Sequence, residues 1–317
     1  MIFAAAALIM SADTAMKRSQ NSLLLWIVAF CLTLVIAVFQ RVTGPTWPVR
    51  GETMINGRAV QYRFLRSHTA HTPLAVRIRA DDPGLVLTLA CRRFRTDDKW
   101  TETRMRRDGN GYVALVPGQP PAGKIEYRVV FTNEVKNPQT LGPDRVVARF
   151  KGRVPAIWLI LHILFMMTAI LLCVRTGLES LRRQPRLERL VGFTLGAVIL
   201  GGLVFGPVVQ KFAFGDLWTG FPLGTDLTDN KTLLMFVFWL TALFLYRRSR
   251  WWAFAAALLM LIVTLIPHSL AGSELDYESG GLRNKFSASI PTAGPRIQSA
   301  SLPPAGNRKP LTAPVRD

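Results

Sequence analysis

Only a few side chains in this 317-residue chain are of a type, and in a place, to do chemistry. Two of the 4 histidines, His162 and His268, lie inside long apolar runs, AIWLILHILFMM and LIVTLIPHSL. An ionisable group within a membrane span is expensive to bury and marks a candidate functional site. Counted at 1.5 Å per residue, His162 lies about 12 Å and His268 about 6 Å inside the same boundary of the apolar zone. Two neutral imidazoles from facing helices suit the axial pair of haem b, so the cofactor is unknown with haem b as the candidate. The alternative is packing, because neutral histidine is the least costly titratable side chain to bury.

The second candidate set is acidic. Asp216, Asp226 and Asp229 fall in FGDLWTGFPLGTDLTDNKT, and Glu274, Asp276 and Glu278 fall in SELDYES. Oxygen ligands of this kind suit a hard cation or a proton path, with Asp216, Asp226, Asp229 and Glu274 as candidate metal ligands. The alternative is a solvated acidic rim. Asp229 or Thr228 is placed to cap the helix that follows, which leaves Asp216 and Asp226 over. His68 and His71 form an H-x-x-H pair in RSHTAHT, a loop spacing that fixes no metal geometry by itself. Cys31 and Cys173 lie in apolar runs, so Cys91 is alone in the polar part and has no disulfide or zinc partner there. There is no Gly-rich phosphate loop, no G-x-S-x-G and no H-E-x-x-H, so no residue is assigned a catalytic role.

The elements that must position these residues follow from composition. Half of the chain is hydrophobic, with 39 Lys+Arg against 20 Asp+Glu and a net charge of +19. Such a balance in a soluble chain would point to nucleic acid, but basic residues also flank membrane spans, and five apolar segments decide for that reading. These are Ser22–Phe39, Val154–Val174, Leu190–Val209, Thr232–Tyr246 and Trp251–Ala271. Lys17 and Arg18, then Arg175 to Arg189, then Arg247, Arg248 and Arg250 all fall on one side if five spans alternate. That side is expected to be the cytoplasm, giving an N-in, C-out inner-membrane protein. The apolar residues 1–15 precede the basic pair, the reverse of a signal peptide, so translation is expected to start at Met16 with an uncleaved signal anchor.

Residues 41–152 change character. Short alternating segments (AVQYRFLRS, LAVRIRA, LVLTLACRRF, TETRMRR, GYVALVP, KIEYRVVFTN and RVVARFKG) are separated by turn signals, including Asn56-Gly57, Asp108-Gly109 and Asn110-Gly111. They predict an antiparallel β-sandwich. The stretch DKWTETRMRRDGNGYVALVPGQPPAGKIEYRVVFTNE resembles the second half of bacterial immunoglobulin/fibronectin-like domains, which implies a fold and no activity. WTGFPLGTDLTDNKT, and IPHS followed by SELDY, resemble bacterial inner-membrane proteins with no assigned activity. The segment 41–152 holds 20 Lys+Arg and 10 Asp+Glu, a net of +10. Anionic lipid head groups or an acidic extracytoplasmic protein partner would suit that charge; the alternative is a solvated sheet face with Arg stems over apolar surface.

The expected layout is a cytoplasmic N-terminus (1–21), a transmembrane anchor (22–40), an extracytoplasmic β-sandwich (41–152), a four-helix transmembrane bundle (153–272) and a disordered tail (273–317). The fold class is a mixed membrane protein, an α-helical bundle of about five transmembrane helices plus an antiparallel β-sandwich. The functional expectation is a non-enzymatic scaffold or binding protein set in the lipid bilayer, with no nucleic acid partner. A haem b redox protein using His162 and His268, or an ion or proton pathway through the outer acidic loop, stands beside it.

Overall fold

The computed structural model describes residues 2–132, 138–267 and 272–283. His268 and the Pro-, Ala- and Ser-rich tail beyond 283 lie outside the described residues. The helices are α1 (Ile2–Thr43), α2 (Ala156–Ser180), α3 (Glu188–Val198), α4 (Gly206–Phe214), α5 (Leu227–Leu245) and α6 (Trp251–Leu265). A π-helical segment, Ile199–Phe205, joins α3 to α4 without a break.

Among the described residues three helices are long and apolar enough to cross a membrane: Ser22–Thr43, Ala156–Ser180 and Glu188–Phe214, with mean hydropathies of 2.8, 2.6 and 2.0. The other two expected spans are shorter or more polar. Helix α6 has 15 apolar residues, about 22 Å of helix against about 30 Å of hydrocarbon. Helix α5 has 19 residues and opens on a polar turn. Both pack against the others, α5 on α3 and α6, and α6 on α2.

The helical core is built from small and branched side chains around Trp239, which is fully buried and donates its indole N–H toward the Met260 sulfur at 2.9 Å. Close approach falls on particular glycines. A Cβ on Gly201 would lie 2.9 Å from the Met166 amide, and one on Gly202 would lie 2.5 Å from the Thr232 methyl, whereas Gly192 and Gly196 face nothing within 4 Å. The glycines of the third span therefore serve contact with α2 and α5 at the π segment and just after it, where a Cβ on Gly206 would lie 3.7 Å from the His162 ring.

The basic turns meet at one end of the bundle. Arg250, before α6, donates to the Arg182 carbonyl after α2. Arg247 pairs with Glu188 at 3.3 Å, and Arg175 reaches Ser22 Oγ at 3.4 Å and stacks over Trp26. The β-domain sits at the opposite end.

That domain comprises two sheets. The first has the order β1 (Val49–Ile55), β2 (Arg58–Phe64), β4 (Leu74–Ala80), β8 (Gly111–Val116), β7 (Arg106–Arg107). The second has the order β3 (Ser67–Thr69), β11 (Val146–Lys151), β9 (Lys124–Thr132), β5 (Leu87–Arg93), β6 (Thr101–Arg104), with β10 (Pro138–Thr140) also on β9. Pairing is antiparallel except for β3 beside β11. Val60, Phe64, Val76 and Ile78 of the first sheet share one core with Leu89, Tyr127, Val129 and Phe150 of the second. The buried Tyr127 hydroxyl is satisfied by the Leu65 carbonyl at 2.8 Å.

The Asn56-Gly57 turn joins β1 to β2 with both residues at positive φ, 53° and 74°, as a two-residue hairpin of matching twist requires. The TETRMRR segment departs from the single strand expected of it. Thr101–Arg104 pairs with β5, Arg106–Arg107 pairs with β8, and Met105 between them turns into the core at 4 % exposure. The chain changes sheets at one buried apolar residue flanked by exposed polar ones. Likewise AVQYRFLRS divides into β2 and β3.

Candidate functional site

The site lies where the β-domain meets the bundle, and it forms from three stretches far apart in sequence. The first is the loop between α4 and α5. Gly215 ends α4 at φ 100°, a left-handed cap that suits glycine. The loop then folds back on the first turn of α5: Thr219 N–H donates to Asp229 Oδ2 at 2.6 Å, Phe221 N–H to Asn230 Oδ1 at 2.6 Å, and Asp226 N–H to the Thr219 carbonyl at 2.9 Å. Gly220 is tight enough here that a Cβ would lie 2.5 Å from that of Asp229. Gln210, from α4, donates to Thr219 Oγ1 at 2.8 Å and to Asp229 Oδ2 at 3.0 Å.

The cap of α5 is Asp226, whose carboxylate accepts the Thr228 N–H at 2.8 Å. This corrects the assignment to Asp229 or Thr228. The helix begins earlier than the apolar pattern does, and Asp229 is drawn into the loop contacts.

The second stretch follows α6. Ser273 Oγ donates to Asp226 Oδ2 at 2.8 Å and lies 3.2 Å from Thr219 Oγ1. Its neighbour Glu274 turns the other way, into the β-domain. Glu274 accepts from Lys124 Nζ at 2.7 Å, with Arg95 at 3.6 Å and Arg283 at 3.8 Å. Leu275 N–H donates to the Ala122 carbonyl, and the Tyr277 hydroxyl both accepts the Lys124 N–H and donates to its carbonyl. Residues 272–283 thus form a strap across the outward side of the second sheet.

The third stretch is the end of that sheet nearest the helical bundle. Along β11, Arg149 alternates outward from the core and is 7 % exposed. One guanidinium nitrogen donates to the Gly272 carbonyl at 3.3 Å, and the group lies over the Phe214 ring at 5.5 Å. Gly152 N–H donates to the Ala213 carbonyl, in a contact so close that a Cβ there would lie 2.2 Å from the Phe212 oxygen.

The junction therefore buries Lys124 and Arg149 beside Asp226, Asp229 and Glu274. Burial first, and then Arg149, push the Lys124 ammonium below its usual range, while Glu274 opposes them. Burial lowers Arg149 against the pull of Asp226 and Glu274. Burial, with Arg149 and Arg41, brings Lys151 down to about 8. The Tyr277 hydroxyl is raised by burial to about 12. Arg149 Nη1 and Glu274 Oε1 are buried without a hydrogen-bond partner among the described residues. A network this low in water either holds both charges together or pays heavily for separating them.

Of the expected metal ligands, Asp226 and Asp229 come together around Thr219 and Ser273. Glu274 faces lysine and arginine, and Asp216 is half-buried elsewhere in the loop. Among the described residues no group of three or more His, Cys, Asp or Glu is arranged to hold a metal ion. His162 Nδ1 lies 2.8 Å from the Gly201 carbonyl, which also accepts the Gly206 N–H, so the imidazole bonds to the π segment. His68 Nε2 lies 3.1 Å from the Pro73 carbonyl and meets Phe150 edge-on. His71 takes φ 60° in the following turn.

Gln210, Thr219, Ser273, Lys124 and Arg149 escaped sequence reasoning. The available signals are slight: Gln210 is a polar residue closing an apolar run, and Arg149 is a charge between apolar residues of its strand. No protein-family model, curated protein or solved structure matches the chain.

Proposed function

We propose that this chain is a five-span inner-membrane scaffold, N-terminus inside, that presents an immunoglobulin-like β-sandwich outside the cytoplasm as a rigidly held binding module. The buried junction carries this reading. A domain that only needed anchoring would hang from α1 by a flexible linker. Here the second sheet is joined to the α4–α5 loop and to the strap by charges that are costly to expose singly. The convergence of the basic turns at the far end of the bundle supports a cytoplasmic placement of that end. The close packing of α5 and α6 supports their crossing the membrane with the other three helices.

The test is a distance distribution. Spin labels are placed at Thr103→Cys in the β-domain and Arg248→Cys in the α5–α6 turn, on a Cys31→Ser background that removes the exposed native thiol. In lipid nanodiscs, pulsed dipolar spectroscopy should return one narrow distance. A broad distribution would mean a tethered domain and would sink the reading.

A further inference from the structure

Among the described residues, the strap and the α4–α5 loop cover the outward side of the second sheet and leave that of the first sheet bare. On the bare side, side chains of one parity line up across the strands. Arg50 lies opposite Arg63, and Gln61 lies opposite Arg79, a register that sets Arg63 beside Arg77. Arg77 and Arg106 both lie opposite Val113, from its two sides. Four exposed arginines therefore occupy one row across five strands, about 19 Å long at 4.8 Å per strand. Like charges placed directly opposite one another destabilise a sheet. Arg77 has Asp108 as a partner, while Arg50, Arg63 and Arg106 have no carboxylate within ion-pair distance among the described residues.

The height and direction of the row follow from the junction. Strand β11 ends at Lys151, just before α2, and β1 begins at Val49, soon after α1. The pairing of Val49 with Phe64 and of Leu74 with Val116 puts these strand ends on the membrane side. The strands run outward from there, so a row across them runs along the bilayer surface. Arg50 and Arg63 each stand one residue, about 3.4 Å, from the membrane-side ends of their strands. Beside the row, Arg41 at the end of α1 and Arg50 lie 4.8 and 6.0 Å from the centroid of the exposed Trp47 ring, in the segment between span and strand. Tryptophan in that position belongs to the head-group layer.

We infer that the Arg50–Arg63–Arg77–Arg106 row binds the head groups of anionic phospholipids in the outer leaflet, holding the β-domain down along the side that the strap does not reach. This rests on the proposed placement of the domain, at fixed height, outside the membrane. Guanidinium groups take phosphate oxygens two at a time, and a row parallel to the surface can engage several lipids at once. Each basic residue near an anionic surface is worth about a fivefold preference, which makes roughly a hundredfold an upper bound for three.

The full chain is placed in nanodiscs of equimolar phosphatidylglycerol and phosphatidylcholine, and the retained lipids are counted by native mass spectrometry. The wild type should retain phosphatidylglycerol preferentially. The Arg50→Gln/Arg63→Gln/Arg106→Gln variant should lose at least tenfold of that preference. Arg58→Gln/Arg79→Gln/Arg104→Gln removes equal charge from the outer ends of the strands and should leave the preference intact. An equal loss in both variants, or none in either, overturns the inference. So does binding of heparin that the row variant abolishes while the lipid ratio stays unchanged, which would assign the face to a soluble polyanion. The Thr103–Arg248 distance on the same discs separates the failures. A narrow distance with an unaltered lipid ratio sinks this inference alone, and a broad distance sinks it together with the placement it rests on.

Discussion

Replacing Glu274 by glutamine removes the carboxylate that faces Lys124 while keeping the shape of the side chain. Glu274 is 6 % and Lys124 11 % exposed at the side chain, and their charged atoms are 2.7 Å apart. Removing one partner of a buried pair costs about 3–5 kcal/mol, because the other charge stays behind without water. Arg95 and Arg283 are exposed at 59 % and 41 % and farther away, so their share is at most about 1 kcal/mol. Lys124 limits the loss in one respect, since burial already lowers its pKa and it can shed its proton. We therefore expect the low end, about 3 kcal/mol near neutral pH, felt as easier opening of the strap. The readout is amide hydrogen exchange at Leu275 and Lys124, whose N–H groups bond across the interface. Exchange there should quicken by about two orders of magnitude, at 1.36 kcal/mol per tenfold, with the helical core unchanged. The effect has a definite pH sign. In the variant the folded-state pKa of Lys124 falls further below its unfolded value, so the unfolded state binds more protons and stability rises with pH. The gap between variant and wild type should narrow as pH climbs toward the ordinary lysine range. A Lys124→Met/Glu274→Met double variant should recover most of the loss. Exchange within threefold of wild type for Glu274→Gln would refute the view that these charges hold the junction.

Three further outcomes are expected. A reporter active only outside the cytoplasm should work when fused after Lys151 or Ser273 and fail after Arg186; activity at Arg186 would overturn the span count. Residues 45–150 expressed alone should give a soluble β-protein that folds under reducing conditions, and Tyr127→Phe should cost it about 1 kcal/mol in urea unfolding by freeing the half-buried Leu65 carbonyl. Purified full-length protein should show no Soret absorption, and His162→Ala should change its thermal stability rather than its spectrum; a haem band lost in that variant would instead favour the redox reading.

Much of this architecture was legible because it is written locally. The Asn56-Gly57 hairpin needs only two residues at positive φ, and the apolar runs of α1 and α2 need only length. The arginines flanking the turns announced a shared end, and Arg250 and Arg247 meet their partners there. The sheet change at Met105 is hidden because one buried residue stands between exposed polar ones on both sides, so no alternation marks where the pairing switches. The junction was harder still. Lys124 and Arg149 occupy outward positions that normally face water, and what covers them arrives more than a hundred residues later. Its uncharged members, Gln210, Thr219 and Ser273, carry no pattern of their own. The acidic loops stand out in the sequence, but their carboxylates serve helix capping, loop closure and domain docking.

The π segment at Ile199–Phe205 has a consequence for inheritance of the chain's length. A wide turn of this kind holds one residue more than an α-helical turn, and an α-helix advances about 100° per residue. Deleting one residue between 199 and 205 would let the helix close into regular α geometry, with its backbone bonds intact and its hydropathy hardly altered. The turn would still close a full circle, so the residues after it would keep nearly the same faces, and Gln210 would still be aimed at Thr219 and Asp229. A residue removed from the regular turns of α4 before Gln210 has no wide turn to absorb the change. It would rotate everything after it by about 100° and take Gln210 from Thr219 and Asp229, and the Ala213 carbonyl from Gly152. The wide turn, where the Gly201 carbonyl meets both the Gly206 N–H and the His162 imidazole, is thus the one stretch of this helix that can give up a residue and keep the loop beneath the β-domain in position.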